Sequence, residues 1–239
     1  YFKIAEELCN ELKDLNTDRD WKYEKKYRKK YSYKGNDFVL DNSGESARST
    51  IKHVESQYMW GTRLVINIGA CGGINPNLDI GDHIIGDRAV RDNRIDWEFA
   101  SDDEIAISDK GINELLYKAI IENPLGNYKI ERGDVWTVGH KYYKRKRIDQ
   151  IMSEGDYNIQ CVEMEMAPLC ILAGWLNENY GNEIGKIKVG NLFYVSDKIP
   201  QSENEPWVET MNNLEQLIPF KRRVLRWAIE SIHMVQNQN

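Results

Sequence analysis

Asn67-Ile68-Gly69-Ala70-Cys71-Gly72-Gly73-Ile74, followed by Ile80-Gly81-Asp82-His83-Ile84-Ile85, is the stretch on which the reading of this chain turns. The apolar run Leu64-Val65-Ile66 leads straight into the glycines. Glycine accepts φ > 0 and lets another group come close to the backbone, so a strand ending this way commonly builds a site. Taken alone, the cluster fits a plain turn or tight packing as well. Its spacing is not G-x-G-x-x-G, which argues against a dinucleotide fingerprint.

Two further segments narrow the reading. Cys161-Val162-Glu163-Met164-Glu165-Met166-Ala167 sets two carboxylates two residues apart at the end of an apolar strand. Phe193-Tyr194-Val195-Ser196-Asp197 sets another at the end of a second one. A strand ending in a G-x-x-G-G-type turn, a Gly-Asp opening the next strand, then V-E-M-E, then S-D occur here in that order. This ordered set resembles the nucleoside phosphorylase/nucleosidase superfamily, which cleaves the N-glycosidic bonds of nucleosides. The resemblance implies a single three-layer α/β/α domain over residues 1–239 with a mixed, mostly parallel central sheet. It also implies a purine nucleoside or nucleotide substrate, no cofactor and no metal. Relatives pair or form rings, so a homo-oligomer, dimer or hexamer, is expected.

Composition fits that class. The 239 residues are enough to bury a sizeable core, and 41% hydrophobic with 29% charged residues are globular values. The net charge of −6 argues against a phosphate-backbone partner. Cys9, Cys71, Cys161 and Cys170 show no metal-ligand spacing and read as reduced, mostly buried thiols. No apolar run is long enough to span a membrane, and no signal peptide is visible, so the expected location is the cytoplasm.

Strands and helices alternate along the chain. Phe2, Ala5, Leu8, Leu12 and Leu15 recur at helical spacing. Strands are expected over 37–41, 63–68, 83–90, 129–138, 160–164 and 186–195. Helices are expected from Ser43-Gly44 through Val54, and over 112–121, 145–152 and 207–233, with one more following the V-E-M-E segment. Pro168 suits the first turn of that helix. Such alternation predicts a doubly covered sheet, and ligands of these sheets collect beyond the carboxyl ends of strands, where Gly69, Glu165 and Asp197 fall.

Breaking a purine–ribose bond requires a proton for the leaving base and a stabilised cationic sugar. Asp197 is the natural general acid toward N7, a task that requires it to hold a proton near neutral pH. Glu165 is the natural acceptor for the 2′ and 3′ hydroxyls, and its charge favours an oxocarbenium-like transition state. The resemblance implies the same two roles, with Met164 along the sugar. Glu163 and Ser196 are counted with the substrate-binding residues, although Glu163 also suits a structural partnership with nearby backbone or an Arg. For Glu165 and Asp197 the structural alternative is an N-cap carboxylate. The Asp of S-D points to purines, because uridine-cleaving relatives typically lack it and a pyrimidine has no N7. Tyr142 and Tyr143 stand where the family stacks an aromatic on the base. His140 stands where many relatives carry an acid, and reads as a surface imidazole.

The nucleophile is read from two positions. Phosphorylases of the family use an Arg before the glycine turn, a Ser or Thr inside it, and a Gly-Asp-x-x-Arg loop near the N-terminus. Here Asn67 and Ala70 occupy the first two positions, and no such loop occurs before residue 40. Asn67 cannot supply the bidentate cation an oxyanion prefers. The expected reaction is therefore hydrolysis. The alternatives are phosphorolysis and a catalytically weak nucleoside-binding protein on the same fold. Arg91-Asp92-Asn93-Arg94-Ile95-Asp96 and Val195-Ser196-Asp197-Lys198 also look like AMP nucleosidases, and the basic run Lys141–Arg147 is a candidate for a 5′-phosphate, or simply a wet helix face. Nucleosidases carry a first strand and then a Glu that activates water. This chain opens on a helix, so either the sequence is cut upstream or that group is lost. Glu6 and Glu7 are the stand-ins, though their spacing suits solvated helix positions.

A reading of another class comes from Trp21–Lys34, where Trp21, Tyr23, Tyr27, Tyr31 and Tyr33 interleave with Lys22, Lys25, Lys26, Arg28, Lys29 and Lys30. Such interleaving can bind single-stranded nucleic acid. The acidic total charge favours an edge element with aromatics inward and charges wet.

Overall fold

The computed structural model describes residues 1–12, 14–17, 28–44, 46–93, 95–101, 104–140, 145–200, 202, 208–209 and 214–237. In chain order the elements are α1 (Phe2–Glu11), β1 (Leu15–Thr17), β2 (Arg28–Tyr33), β3 (Asn36–Asp41), α2 (Ala47–Met59), β4 (Leu64–Gly73) and β5 (His83–Asp92). There follow β6 (Ala106–Ile107), α3 (Lys110–Glu122), β7 (Ile130–Val138), α4 (Arg145–Glu154), β8 (Ile159–Glu163), α5 (Met166–Tyr180), β9 (Lys188–Lys198), β10 (Val208–Glu209) and α6 (Leu214–Gln236).

The main sheet is mixed and runs β10-β9-β4-β8-β7-β5-β6, with β5 also pairing β9. That extra pairing closes β9, β4, β8, β7 and β5 into a ring, so the sheet curls on itself as a small barrel does. Its two longest ladders, β4 with β9 and β5 with β7, are parallel. β9 is central and alternates its buried residues between two layers. Val189, Phe193 and Val195 pack toward α2 and α5, while Leu192 and Tyr194 pack toward α3 and α6. These are the α/β/α layers the sequence predicts. Helix starts follow capping chemistry: the Ser46 hydroxyl accepts from Ser49 N at 3.3 Å, and Asp109 Oδ1 accepts from Ile112 N at 3.0 Å.

Four local expectations are corrected. Leu15 does not continue the first helix, which stops at Glu11; Leu15 opens β1 instead and is buried there against Tyr31 and Tyr33. Gly69–Gly73 is strand rather than turn, because β4 runs on to Gly73 and pairs β9 on one edge and Val162 and Cys161 of β8 on the other. The chain from about 207 to 213 is not helical throughout, since Val208–Glu209 pairs antiparallel with β9. The described part of the basic–aromatic segment, Arg28–Lys34, is not an edge element: β2 is the middle strand of a three-stranded antiparallel sheet, β1-β2-β3, and Arg28 is buried, although the tyrosines do turn inward. Tyr31 and Tyr33 are buried, while Arg28, Lys29, Lys30 and Lys34 pair with Asp41, Glu6, Asp37 and Glu230. The remainder, 21–27, lies outside the described residues. Among the described residues no helix is long and apolar enough to cross a membrane.

Candidate active site

The carboxyl ends of β4 and β9 build one wall of the site. Their parallel register holds from Leu64↔Lys188 to Cys71↔Val195 and then jumps to Gly72↔Asp197, leaving Ser196 as an extra residue. A bulge of this kind re-aims side chains beside it. Here the Ser196 hydroxyl donates to Asp197 Oδ1 at 2.6 Å and lies 3.3 Å from Cys71 O. Asp197 Oδ2 lies over Gly72: a Cβ there would sit 3.1 Å from it, 3.1 Å from Val162 and 2.8 Å from Ile199. Gly72 is therefore the position where absence of a side chain lets a buried carboxylate approach the strand. Asp197 lies inside β9, so the N-cap alternative does not apply to it. The neighbouring Gly81-Asp82 is structural: Gly81 has φ +94, and Asp82 accepts from Asp79 N and Lys129 N at 2.8 Å each.

The turn from β8 into α5 builds the opposite wall. Glu163 is buried, and its Oε2 accepts from Glu165 N at 2.6 Å and Met166 N at 2.8 Å. Its Oε1 accepts the Thr137 hydroxyl at 2.5 Å. Burial pushes the Glu163 carboxyl up, and the bonds from Thr137 and the backbone pull it the other way. Glu165 occupies the N-cap position of α5 yet makes no side-chain cap bond. Of the two readings the sequence offers for Glu163, the structure shows the partnership with nearby backbone: Glu163 serves the helix end. Thr137 escaped the sequence reading. The available signal was a polar residue inside the apolar run Val135–Val138.

Asn67, Gly69, Ala70, Gly72, Glu163, Met164, Glu165, Ser196 and Asp197 all line one cavity of about 1200 Å³. The cavity runs on along β4 between β3, α2 and α6, beside the β4 edge from Leu64 to Cys71 that carries no strand among the described residues. Asn67 turns its amide toward β9, where Nδ2 donates to Asn191 Oδ1 at 3.0 Å. Asn191 is itself held by Ser108 Oγ at 2.9 Å. The thiol of Cys71 is pushed well up, first by burial and then by Cys161 and the Asp197 and Glu163 carboxylates, so it is no nucleophile.

Several candidates are not brought to this cavity. Glu6 and Glu7 pair with Lys29 and Arg222 and do not line it. Arg91 binds both oxygens of the buried Asp96 at 3.1 Å, and Arg147 binds Asp92 at 2.7 and 3.1 Å, so both serve local structure. His140 is exposed. Tyr142, Tyr143, Lys141 and Lys144 lie outside the described residues.

The curled mixed sheet lies between helix layers, and the β8–α5 turn and Asp197 of β9 line one cavity from either side of β4. The family model described as the Phosphorylase superfamily matches residues 5–226, and the chain belongs to that superfamily. Among curated proteins it is 25% identical over 190 residues to a purine nucleoside phosphorylase of Plasmodium falciparum, covering 79% of this chain and 70% of that one. Two solved structures share the fold. The AMP nucleosidase of Bacteroides thetaiotaomicron gives a TM-score of 0.69 at 14% identity, covering 100% of this chain and 86% of that one. The purine nucleoside phosphorylase of Toxoplasma gondii, in complex with immucillin-H, gives 0.74 at 16% identity, covering 98% and 88%.

Proposed function

We propose that the chain cleaves the N-glycosidic bond of a purine nucleoside or nucleotide with water as the nucleophile. Asp197 delivers a proton to N7 of the departing base, and the Ser196 hydroxyl fixes its Oδ1 while Oδ2 lies over Gly72 on the cavity wall. Glu165 accepts the ribose hydroxyls and places negative charge beside the sugar as it becomes cationic. Met164 and Gly69 flank the sugar.

The choice of water rests on one observation, the engagement of the Asn67 amide with Asn191 at 3.0 Å. A phosphate dianion needs charged donors converging on it. Position 67 offers a neutral amide with one N–H given to the neighbouring strand, and position 70 offers a methyl. The competing reading, phosphorolysis, is favoured by the names of the curated relatives and needs an oxyanion site built from other residues. Titrating phosphate into an assay of base release separates the two. Hydrolysis predicts a rate indifferent to phosphate, and a rate that rises from zero with phosphate would overturn it.

A further inference from the structure

We propose that Thr137 and Glu163 are positioning residues that hold Glu165 where it meets the ribose hydroxyls. The inference rests on the role given to Glu165 above and adds the device that sets its geometry. The first N–H groups of a helix need acceptors, and a carboxylate at the N-cap position ordinarily supplies one. Glu165 stands at that position of α5, and its side chain makes no such bond. Glu163 supplies the acceptor from two residues upstream, taking Glu165 N at 2.6 Å and Met166 N at 2.8 Å on one oxygen.

Its other oxygen takes the Thr137 hydroxyl at 2.5 Å, and the Thr137 oxygen accepts in turn from Ala167 N at 3.1 Å. Thr137 has 0% and Glu163 5% of its surface exposed, so water does not compete for these bonds. The chain of contacts pins the Met164–Glu165 turn at both ends. It also keeps the carboxylate of Glu165 from folding back onto its own helix. A hydroxyl is required at 137 because the group both donates and accepts. A carboxylate is required at 163 because both of its oxygens receive donors, and an amide nitrogen would turn an N–H against one of them.

The test compares kcat/KM for a purine ribonucleoside and its 2′-deoxy counterpart. The ratio between them reports the contact of Glu165 with the 2′ hydroxyl, whereas a general loss of folded protein scales both substrates alike. Thr137→Val should lower the ribo-to-deoxy ratio by about tenfold, the scale of one hydrogen bond to a charged group. Thr137→Ser, which keeps the hydroxyl, should hold the ratio within about twofold, the scale of a hydrogen bond left nearly intact. Glu163→Gln should lower it as Thr137→Val does, and supplies the same reading if the valine variant does not accumulate. The proposal is overturned if the replacements reduce both substrates equally, or if Thr137→Ser behaves as Thr137→Val. A parent protein that turns over both sugars equally would instead sink the role of Glu165, a separate and recognisable result.

Discussion

His83 makes the stability of this protein depend on acid in a calculable way. The residue opens β5, is fully buried, and has neither ring nitrogen hydrogen-bonded. Its ring lies edge-on between Tyr128 and Trp227, with centroids at 4.9 Å from each, and Arg223 stands over the same Tyr128. Burial first, and then the Arg223 charge, push its pKa down from 6.5 to about 3. The sign follows from proton counting. Below pH 6.5 the unfolded chain binds a proton that the native state refuses, so stability is complete above that value and falls as the pH drops toward 3. At pH 5 the loss is about 1.5 pH units at 1.36 kcal/mol each, or about 2 kcal/mol. For a chain of this length that corresponds to about 4–8 °C in Tm. His83→Phe retains an aromatic ring in an aromatic cage, forfeits no hydrogen bond, and cannot titrate. Thermal melts of both proteins at pH 7.5 and pH 5 should show the parent losing that much more than the variant, other titrating groups cancelling in the difference. Identical pH slopes in the two proteins would refute the reasoning.

Three further outcomes follow from the site. Asp197→Asn keeps the shape and removes the proton, so turnover should fall by ~10²–10⁴-fold while equilibrium dialysis still detects nucleoside binding; undiminished turnover would remove the proposed acid. Glu165→Gln should weaken both binding and rate, because the sugar loses a charged acceptor and a counter-charge, and steady-state kinetics should register both KM and kcat moving. Gly72→Ala places a methyl against Asp197, Val162 and Ile199. Its activity should fall by a larger factor than calorimetry finds in stability, and a variant of parental activity would show that Asp197 need not approach that strand.

Much of the scaffold was legible because its signals are local. Strand ends with carboxylates, Glu165 and Asp197, could be placed from residue order alone, and the structure puts both on one cavity with Gly72. Details that depend on distant strands were not. The bulge at Ser196 exists only because β9 pairs with β4, and the closing pairing of β5 with β9 has no signature in either strand. The glycines read as a turn because flexibility is what sequence reveals about them. Their actual use is steric: without side chains, three strands converge around Gly72 and Gly73. Leu15 kept helical spacing with Leu8 and Leu12, yet burial against Tyr31 and Tyr33 drew it into a strand. The division of labour between Glu163 and Glu165 turned on Thr137, which is 26 residues away from Glu163.

The central claim is the nucleophile, and the sugar product reports it most directly. Purified protein is incubated with adenosine, inosine, AMP and methylthioadenosine in phosphate-free buffer and in buffer with phosphate, and the sugar released with the free purine is identified by mass spectrometry. Hydrolysis yields free ribose, or its 5′-substituted form, in both buffers at the same rate. Ribose 1-phosphate formed only when phosphate is present would contradict it and assign the chain to phosphorolysis.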